Sequence, residues 1–397
     1  MSRRSALILT PRLPWPQDDG GRIVMWQSLA AAARDWDVTL VGLCDPGARD
    51  APEPAELRAW GVRVTRVAHR PPSAAASAWA GLAGPWPYTL SRYRSAACDA
   101  AVRDAVARER PAFALVHHLH MATYADALGG TPLVLREHNV EHLWMARYAR
   151  SLGARPAALY ARIQAARLRR AEAALCRRAA LVLAIQPEEA ASLRALEGRA
   201  RVETLPVGVD PGRFAAPEPA EPPVVLLAGS FEWPPNEAGA VAFLRGGWPR
   251  VAARVPRARL RLAGKSPSAR LRSEAAAAGA EAAGYVPSMP EEFRRASVLV
   301  VPLWVGAGAR VKIVEAMAAG LPVAATPLGA EGLGLLPGRE YVAAGTPAAL
   351  GDSVAALLES PERRAALAHA ARETVAARFS LEAVTRLQND LCASVAR

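Results

Sequence analysis

Short apolar runs alternate with longer stretches of helical periodicity along most of the chain. In the first half, the runs at residues 6–10, 38–43, 62–67, 114–117, 133–136 and 181–185 each have the length of a buried strand. Helical stretches are expected between them at 23–34, after a Gly20-Gly21 turn, and at 96–108 and 157–178. The second half repeats the alternation, with strands expected at 224–228, 259–263, 298–301 and 323–326 and helices at 237–245, 269–278 and 311–319. A last amphipathic helix is expected from residue 380. Strands separated by helices imply parallel sheets covered on both faces. Residues 205–223 break the pattern: Pro206, Pro211, Pro217, Pro219, Pro222 and Pro223 read as a linker. The expected fold class is therefore α/β, with two facing Rossmann-like, doubly wound domains and a ligand cleft between them. The expected bounds are 1–205, a linker at 206–223, 224–379, and a terminal helix at 380–397.

Composition narrows the classes without changing that picture. A chain of 397 residues that is 51% hydrophobic has enough apolar surface for two cores and is not a disordered chain. Cys44, Cys98, Cys176 and Cys392 form no CxxC pair, which argues against a disulfide scaffold or zinc cluster and fits a reducing cytoplasm. The apolar run at 6–9 is too short for a signal peptide, and the uncharged segment 71–91 carries four prolines, so no membrane span is expected. That segment, with Trp79, Trp86 and Tyr88, reads as a loop: an acceptor loop, a membrane-interface dip, or a loop packed on its own domain. Net charge is +12 and uneven, since residues 1–200 hold 27 arginines against 18 acids. That surplus suits a membrane surface, nucleic acid or an anionic substrate, or reflects only an arginine-rich proteome. Lysine occurs twice, at Lys265 and Lys312.

The densest concentration of candidate chemistry is residues 305–323. A strand end leads through glycines Gly306 and Gly308 into a helix that begins with Arg310 and Lys312 and ends at Gly320-Leu321-Pro322. Free N–H groups at a helix start, two cations and small residues suit a nucleotide diphosphate. Glu315, one turn on, is placed to accept hydrogen bonds from a sugar or ribose diol.

This stretch resembles the donor site of the GT-B retaining glycosyltransferases of family 4, in the subgroup with a G-x-G-x-R-x-K donor loop. The resemblance extends to residues 205–210, to Leu262-Ala263-Gly264-Lys265, to Gly284-Tyr285-Val286 and to the glycine loop ending at Gly20-Gly21. It implies hexosyl transfer with retention from a nucleoside diphosphate sugar to an acceptor hydroxyl, without a metal or other cofactor. The acceptor class (glycan, lipid-linked sugar or small molecule) stays open, within polysaccharide, glycolipid or other glycoconjugate synthesis. It also implies that the last helix packs back on the first domain. The expected catalytic residues are His138, Arg310 and Lys312. The expected donor contacts are Gly20, Gly21, Ser230, Lys265, Tyr285, Val286, Gly308, Arg310, Lys312 and Glu315. Two departures stand out. Position 307 is Ala where the family has the first of two glutamates, and the stretch from Gly229 to Asn236 lacks the usual Arg and Lys. Arg310 and Lys312 are expected to supply that charge.

His138 follows an apolar strand and corresponds to a family histidine that faces the donor sugar; a plain loop histidine is the competing reading. His138 and His142 are four apart, but the string between them is not H-E-x-x-H, so no metal site is expected. Asp35-Trp36-Asp37 precedes a strand, the wrong end for a site in such a sheet, and reads as a surface turn. Seven arginines between 155 and 178 against one acid, Glu172, suit either peripheral contact with an anionic inner membrane face or a solvated helix face. No nucleic-acid reader motif is present. An epimerase or hydrolase on the same fold, or a non-catalytic sugar-nucleotide-binding subunit, are the alternatives.

Overall fold

The computed structural model describes all residues except 1, 2, 18, 49–51, 154, 219, 220 and 307–309. The chain divides into two compact units, residues 1–206 with 384–397, and residues 207–383. In unit 1 the strands are β1 (Ser5–Thr10), β2 (Asp37–Cys44), β3 (Arg63–Ala68), β4 (Ala114–His117), β5 (Leu133–Arg136), β6 (Leu181–Ala184) and β7 (Val202–Thr204). Among the described residues they form one sheet in the order β3-β2-β1-β4-β5-β6-β7, paired in parallel. In unit 2, β8 (Val224–Ala228), β9 (Arg259–Ala263), β10 (Glu281–Gly284), β11 (Val298–Val301), β12 (Val323–Ala325) and β13 (Val342–Ala343) form a second parallel sheet in the order β10-β9-β8-β11-β12-β13.

The unbroken apolar strands follow from burial on both faces. In unit 1, Ile8, Leu40, Leu115 and Val134 pack into one core while Leu9, Val41, Val116 and Leu135 pack into the other. In unit 2, Leu227 and Val300 lie on one side of the sheet, and Leu226 and Leu299 on the other. In each sheet the order reverses at a central strand, β1 beside β4 and β8 beside β11. Loops leaving the carboxyl ends there run to opposite sides and open a crevice.

Several local expectations change. The first helix runs from Gly20 to Asp35, so the two glycines are its first turn and not a separate one. Asp19 caps it, accepting from the Arg22 amide at 3.1 Å. Segment 71–91 is not a loop: it contains helix Ala74–Ala83, capped by Ser73, and a turn of helix at Tyr88–Ser91. Its prolines flank these helices, and the alanine-rich stretch between them has high helix propensity. Residues 207–223 group with unit 2, where Val209 bridges Ser380 through Val209 N to Phe379 O at 2.8 Å. The last helix is Leu381–Ala393. Its residues from 384 on belong to unit 1, where the Gln388 and Asn389 amides donate to the Ser28 and Ala31 carbonyls, each at 2.8 Å.

Gly239 lies inside helix Pro234–Gly246, against the end of β11. A Cβ there would overlap the Pro302 carbonyl oxygen. Gly239→Ala raises helix propensity by ~1 kcal/mol yet is expected to lower the melting temperature of unit 2 by about 5 °C, read by thermal unfolding.

Candidate functional site

At the carboxyl edge of the unit 2 sheet, three neighbouring strands end in glycines. Gly229, Gly264 and Gly284 follow or close β8, β9 and β10, all at positive φ. Gly229 N donates to Ala263 O at 3.0 Å, and Gly264 N to Gly284 O at 2.7 Å. A side chain at Gly264 would collide with the Gly229 carbonyl. This packing keeps the strand ends low and leaves room above them.

Helix Val311–Ala319 follows β11, on the other side of the sheet reversal, and its first turn presents Lys312 to that space. Lys312 Nζ donates to Ala228 O at 2.8 Å and to Asn236 Oδ1 at 3.0 Å, and a Cβ on Gly229 would lie 2.8 Å from it. Burial, aided by the Arg310 charge, lowers its pKa to about 8. Arg310 is buried just before the helix and donates to Leu328 O at 2.8 Å. Glu315 lies on the same helix. Burial raises its carboxyl to about 7, partly offset by Arg213. Ser230 accepts from Asn236 Nδ2 through its carbonyl at 2.8 Å, and the Lys265 carbonyl accepts from Phe231 N at 3.0 Å, so both belong to the same loops. Tyr285 is 71% exposed, and Val286 packs on the core beneath. Gly308 and Ala307 lie outside the described residues. Asn236 and Arg213 went unnoticed in the sequence, because a single amide or arginine in a loop gives no pattern.

The carboxyl edge of the unit 1 sheet carries a histidine cluster. His117 ends β4 and His138 follows β5. His138 Nε2 and His117 Nδ1 are 3.0 Å apart, and the His138 ring stacks on His118 at 3.7 Å between centroids. His118 adopts φ +64, a left-handed conformation uncommon outside glycine. Burial lowers the pKa of all four neighbouring imidazoles, His117 to about 3 and His120 to about 4, with His118 and His138 well below the usual range. They are neutral at physiological pH. Arg12, from the loop after β1, lies close enough to act on His118 and His138, and it pairs with Asp19 at 2.7 Å beside Gly20 and Gly21.

Buried carboxyls stand next to these rings. Burial, reinforced by nearby Glu172, raises Glu137 well above its ordinary value and Glu141 to about 8. Glu172 reaches from helix Pro156–Arg178 to cap helix Glu141–Ser151, accepting from Glu141 N at 2.9 Å, His142 N at 3.3 Å and His142 Nδ1. His138 and His142 therefore have separate partners, and His138 lies before the helix, so the two do not form a ligand pair. The residues overlooked here are His118, His120, Glu137 and Glu141. Their signal was the crowding of five histidines into residues 117–142.

Two features are surface. Asp35 ends the first helix and Asp37 opens β2, at the amino edge of the sheet. Of the arginines at 155–178, Arg177 pairs with Glu197 and Arg178 with Asp126.

Two parallel-sheet units of this kind define the GT-B fold, and solved structures bear this out. The chain is similar to sucrose-phosphate synthase from Thermosynechococcus elongatus (20% identity, 99% of each chain covered, TM-score 0.73). It is also similar to Anabaena HepE, solved with UDP and glucose (16% identity, 98% of this chain and 100% of the other, TM-score 0.71). A third neighbour is WaaG, a glycosyltransferase involved in lipopolysaccharide biosynthesis (15% identity, 98% and 99% covered, TM-score 0.69). No curated protein matches the sequence. Residues 20–213 match the model described as Glycosyltransferase Family 4, and residues 222–360 match Glycosyl transferases group 1. The chain belongs to the family 4 glycosyltransferases and is a transferase enzyme.

Glu172→Ala would leave two amides at the start of helix Glu141–Ser151 without their acceptor. It is expected to destabilise unit 1 by about 2–4 kcal/mol, with Glu172→Gln milder, as read by denaturant unfolding.

Proposed function

We propose that the chain transfers a hexosyl group from a nucleoside diphosphate sugar to an acceptor hydroxyl with retention, in the synthesis of a glycoconjugate. The observation that carries this reading is Lys312: an ammonium held by two neutral oxygens at a glycine-lined strand edge, beside a helix start. A charge so held keeps its attraction for an incoming anion. The bond from the anomeric carbon to the diphosphate oxygen breaks, and the acceptor oxygen bonds to that carbon on the same face. The acceptor proton leaves with the diphosphate. Lys312, Arg310 and the helix N–H groups, with Gly308 two positions before Arg310 in the sequence, meet the developing charge in place of a metal. Glu315 takes the ribose hydroxyls, and the loops bearing Ser230, Lys265, Tyr285 and Val286 flank the nucleotide. By the family resemblance we assign His138 to the sugar and Gly20 and Gly21 to the phosphates. HepE's complex with UDP and glucose supports this donor class by analogy.

Lys312→Ala is expected to weaken nucleoside diphosphate binding about 10–100-fold by calorimetry, the loss of one charge-assisted hydrogen bond. An unchanged Kd would sink the assignment. In the wild type, affinity should fall as pH rises through about 8, where Lys312 loses its proton, and as pH falls through about 7, where Glu315 gains one.

The acceptor is presented at an anionic membrane face. Helices Ala74–Ala83, Glu141–Ser151 and Pro156–Arg178 expose Trp79, Leu82, Trp144, Tyr148, Leu159 and Ile163. Between residues 141 and 178 the acids Glu141 and Glu172 are both buried, so the exposed charges there are arginines, Arg147, Arg150, Arg155, Arg162 and Arg169 among them. Apolar groups rimmed by cations suit anionic lipid, at ~1 kcal/mol per arginine near the surface. No described helix is long and apolar enough to cross a membrane. Vesicles containing phosphatidylglycerol should co-sediment the protein, and Trp79→Ser with Arg162→Glu should abolish this. Equal sedimentation with neutral vesicles would refute the reading.

A further inference from the structure

The mechanism above leaves His118, His120 and Glu141 unused. One ligand atom from each lies within 4.8 Å of the others. Nε2 of His118 and Nδ1 of His120 are buried and meet no hydrogen-bond partner among the described residues. The Glu141 carboxyl is buried too, and the charges that act on it are the carboxylates Glu172 and Glu189. A buried carboxyl beside two partnerless imidazole nitrogens is a costly arrangement for an empty site. A divalent ion satisfies all three groups at once.

We propose that His118, His120 and Glu141 bind a transition-metal ion of the zinc class. Two imidazoles and one carboxylate form a borderline nitrogen–oxygen set, which favours zinc-like ions over magnesium or calcium. Three protein ligands leave a fourth position for water. Zinc–ligand bonds of ~2.0–2.1 Å place the three atoms roughly 3.4 Å from one another, so all three side chains draw together from within 4.8 Å as the ion binds. The surroundings already orient the ligands. His118 is clamped by its stacking on His138, His120 lies against the Tyr93 ring at 4.5 Å, and Glu141 begins a helix whose first amides are capped by Glu172. Such supports fix ring orientation in metal sites. The ion neutralises Glu141 and ties the turn after β4 to helix Glu141–Ser151. It is distinct from the charge balance at Lys312, so loss of either site leaves the other measurable.

The test uses the full-length, tag-free chain stripped with chelator and titrated with zinc chloride, with cobalt chloride as a spectroscopic probe. We expect one zinc per chain, a rise in melting temperature on loading, and visible cobalt absorption of a four-coordinate site. His120→Ala and Glu141→Gln should each weaken zinc binding at least 100-fold. His369→Ala, at an exposed histidine beside Glu373, should leave it unchanged. Glu141→Gln is nearly isosteric, and its metal-free form should melt no lower than the metal-free wild type, which separates loss of binding from loss of folding. Zinc binding equal in wild type, His120→Ala and Glu141→Gln would overturn the proposal, as would no binding to a folded wild type.

Discussion

Parallel pairing of one central strand to neighbours on both sides is the constraint from which the chemistry of each unit follows. β1 pairs with β2 and β4, and β8 pairs with β9 and β11. The two central strands, β1 and β8, are apolar on both faces, so nothing charged can sit along their length without large desolvation cost. Polar groups are pushed to the strand ends, and the reversal of strand order opens space at the carboxyl end. Arg12, His117 and His118 gather there in unit 1, and Lys312, Asn236 and the glycines gather there in unit 2.

What separates a working charge from a structural one is the partner it keeps. On the unit 2 surface, arginines meet acids: Arg250 pairs with Asp352 at 2.7 Å and Arg261 with Glu292 at 2.6 Å. Those charges are cancelled locally, and the run of basic residues at 250–261 projects little field. Lys312 keeps a carbonyl and an amide oxygen instead. Neutral acceptors hold the ammonium in position without neutralising it, and the depressed pKa records the remaining cost of burial. An anion that fills the space relieves that cost, so desolvation of the free protein contributes to selectivity for the ligand.

Much of this was legible in the sequence, for a physical reason: strands buried on both faces give continuous apolar runs that composition alone reveals. The pieces missed were those with no such run. β10 is Glu281-Ala282-Ala283-Gly284, too small and polar to register, and β7 and β13 are shorter still. Helix Ala74–Ala83 was hidden by prolines that bound it. At the sites, Arg310, Lys312 and Glu315 stand out in the sequence because they crowd one helix start, Arg310 just before it and Lys312 and Glu315 three apart on it. Asn236 is 76 residues from the lysine it holds, and no local pattern connects them. The histidines were visible as a crowd, but which of them share a pocket depends on strand order, since β4 and β5 bring residues 117 and 138 together.

The unit 1 cluster shows how burial can set ionisation without any single strong partner. Four imidazoles and two carboxyls are all shifted toward their neutral forms, and desolvation is the first cause in each case. Glu172 has what the others lack: two backbone amides and a ring nitrogen aimed at its oxygens. Arg136, one residue from Glu137, is not its ion-pair partner, because successive strand residues point to opposite faces. It donates instead to the Ala184 and Pro206 carbonyls at 3.3 and 3.4 Å, and burial lowers its pKa to about 9. The chain thus places a basic and an acidic residue side by side in sequence and lets the pleat keep them apart. The site face is left with neutral rings and acids whose ionisation depends on what binds there.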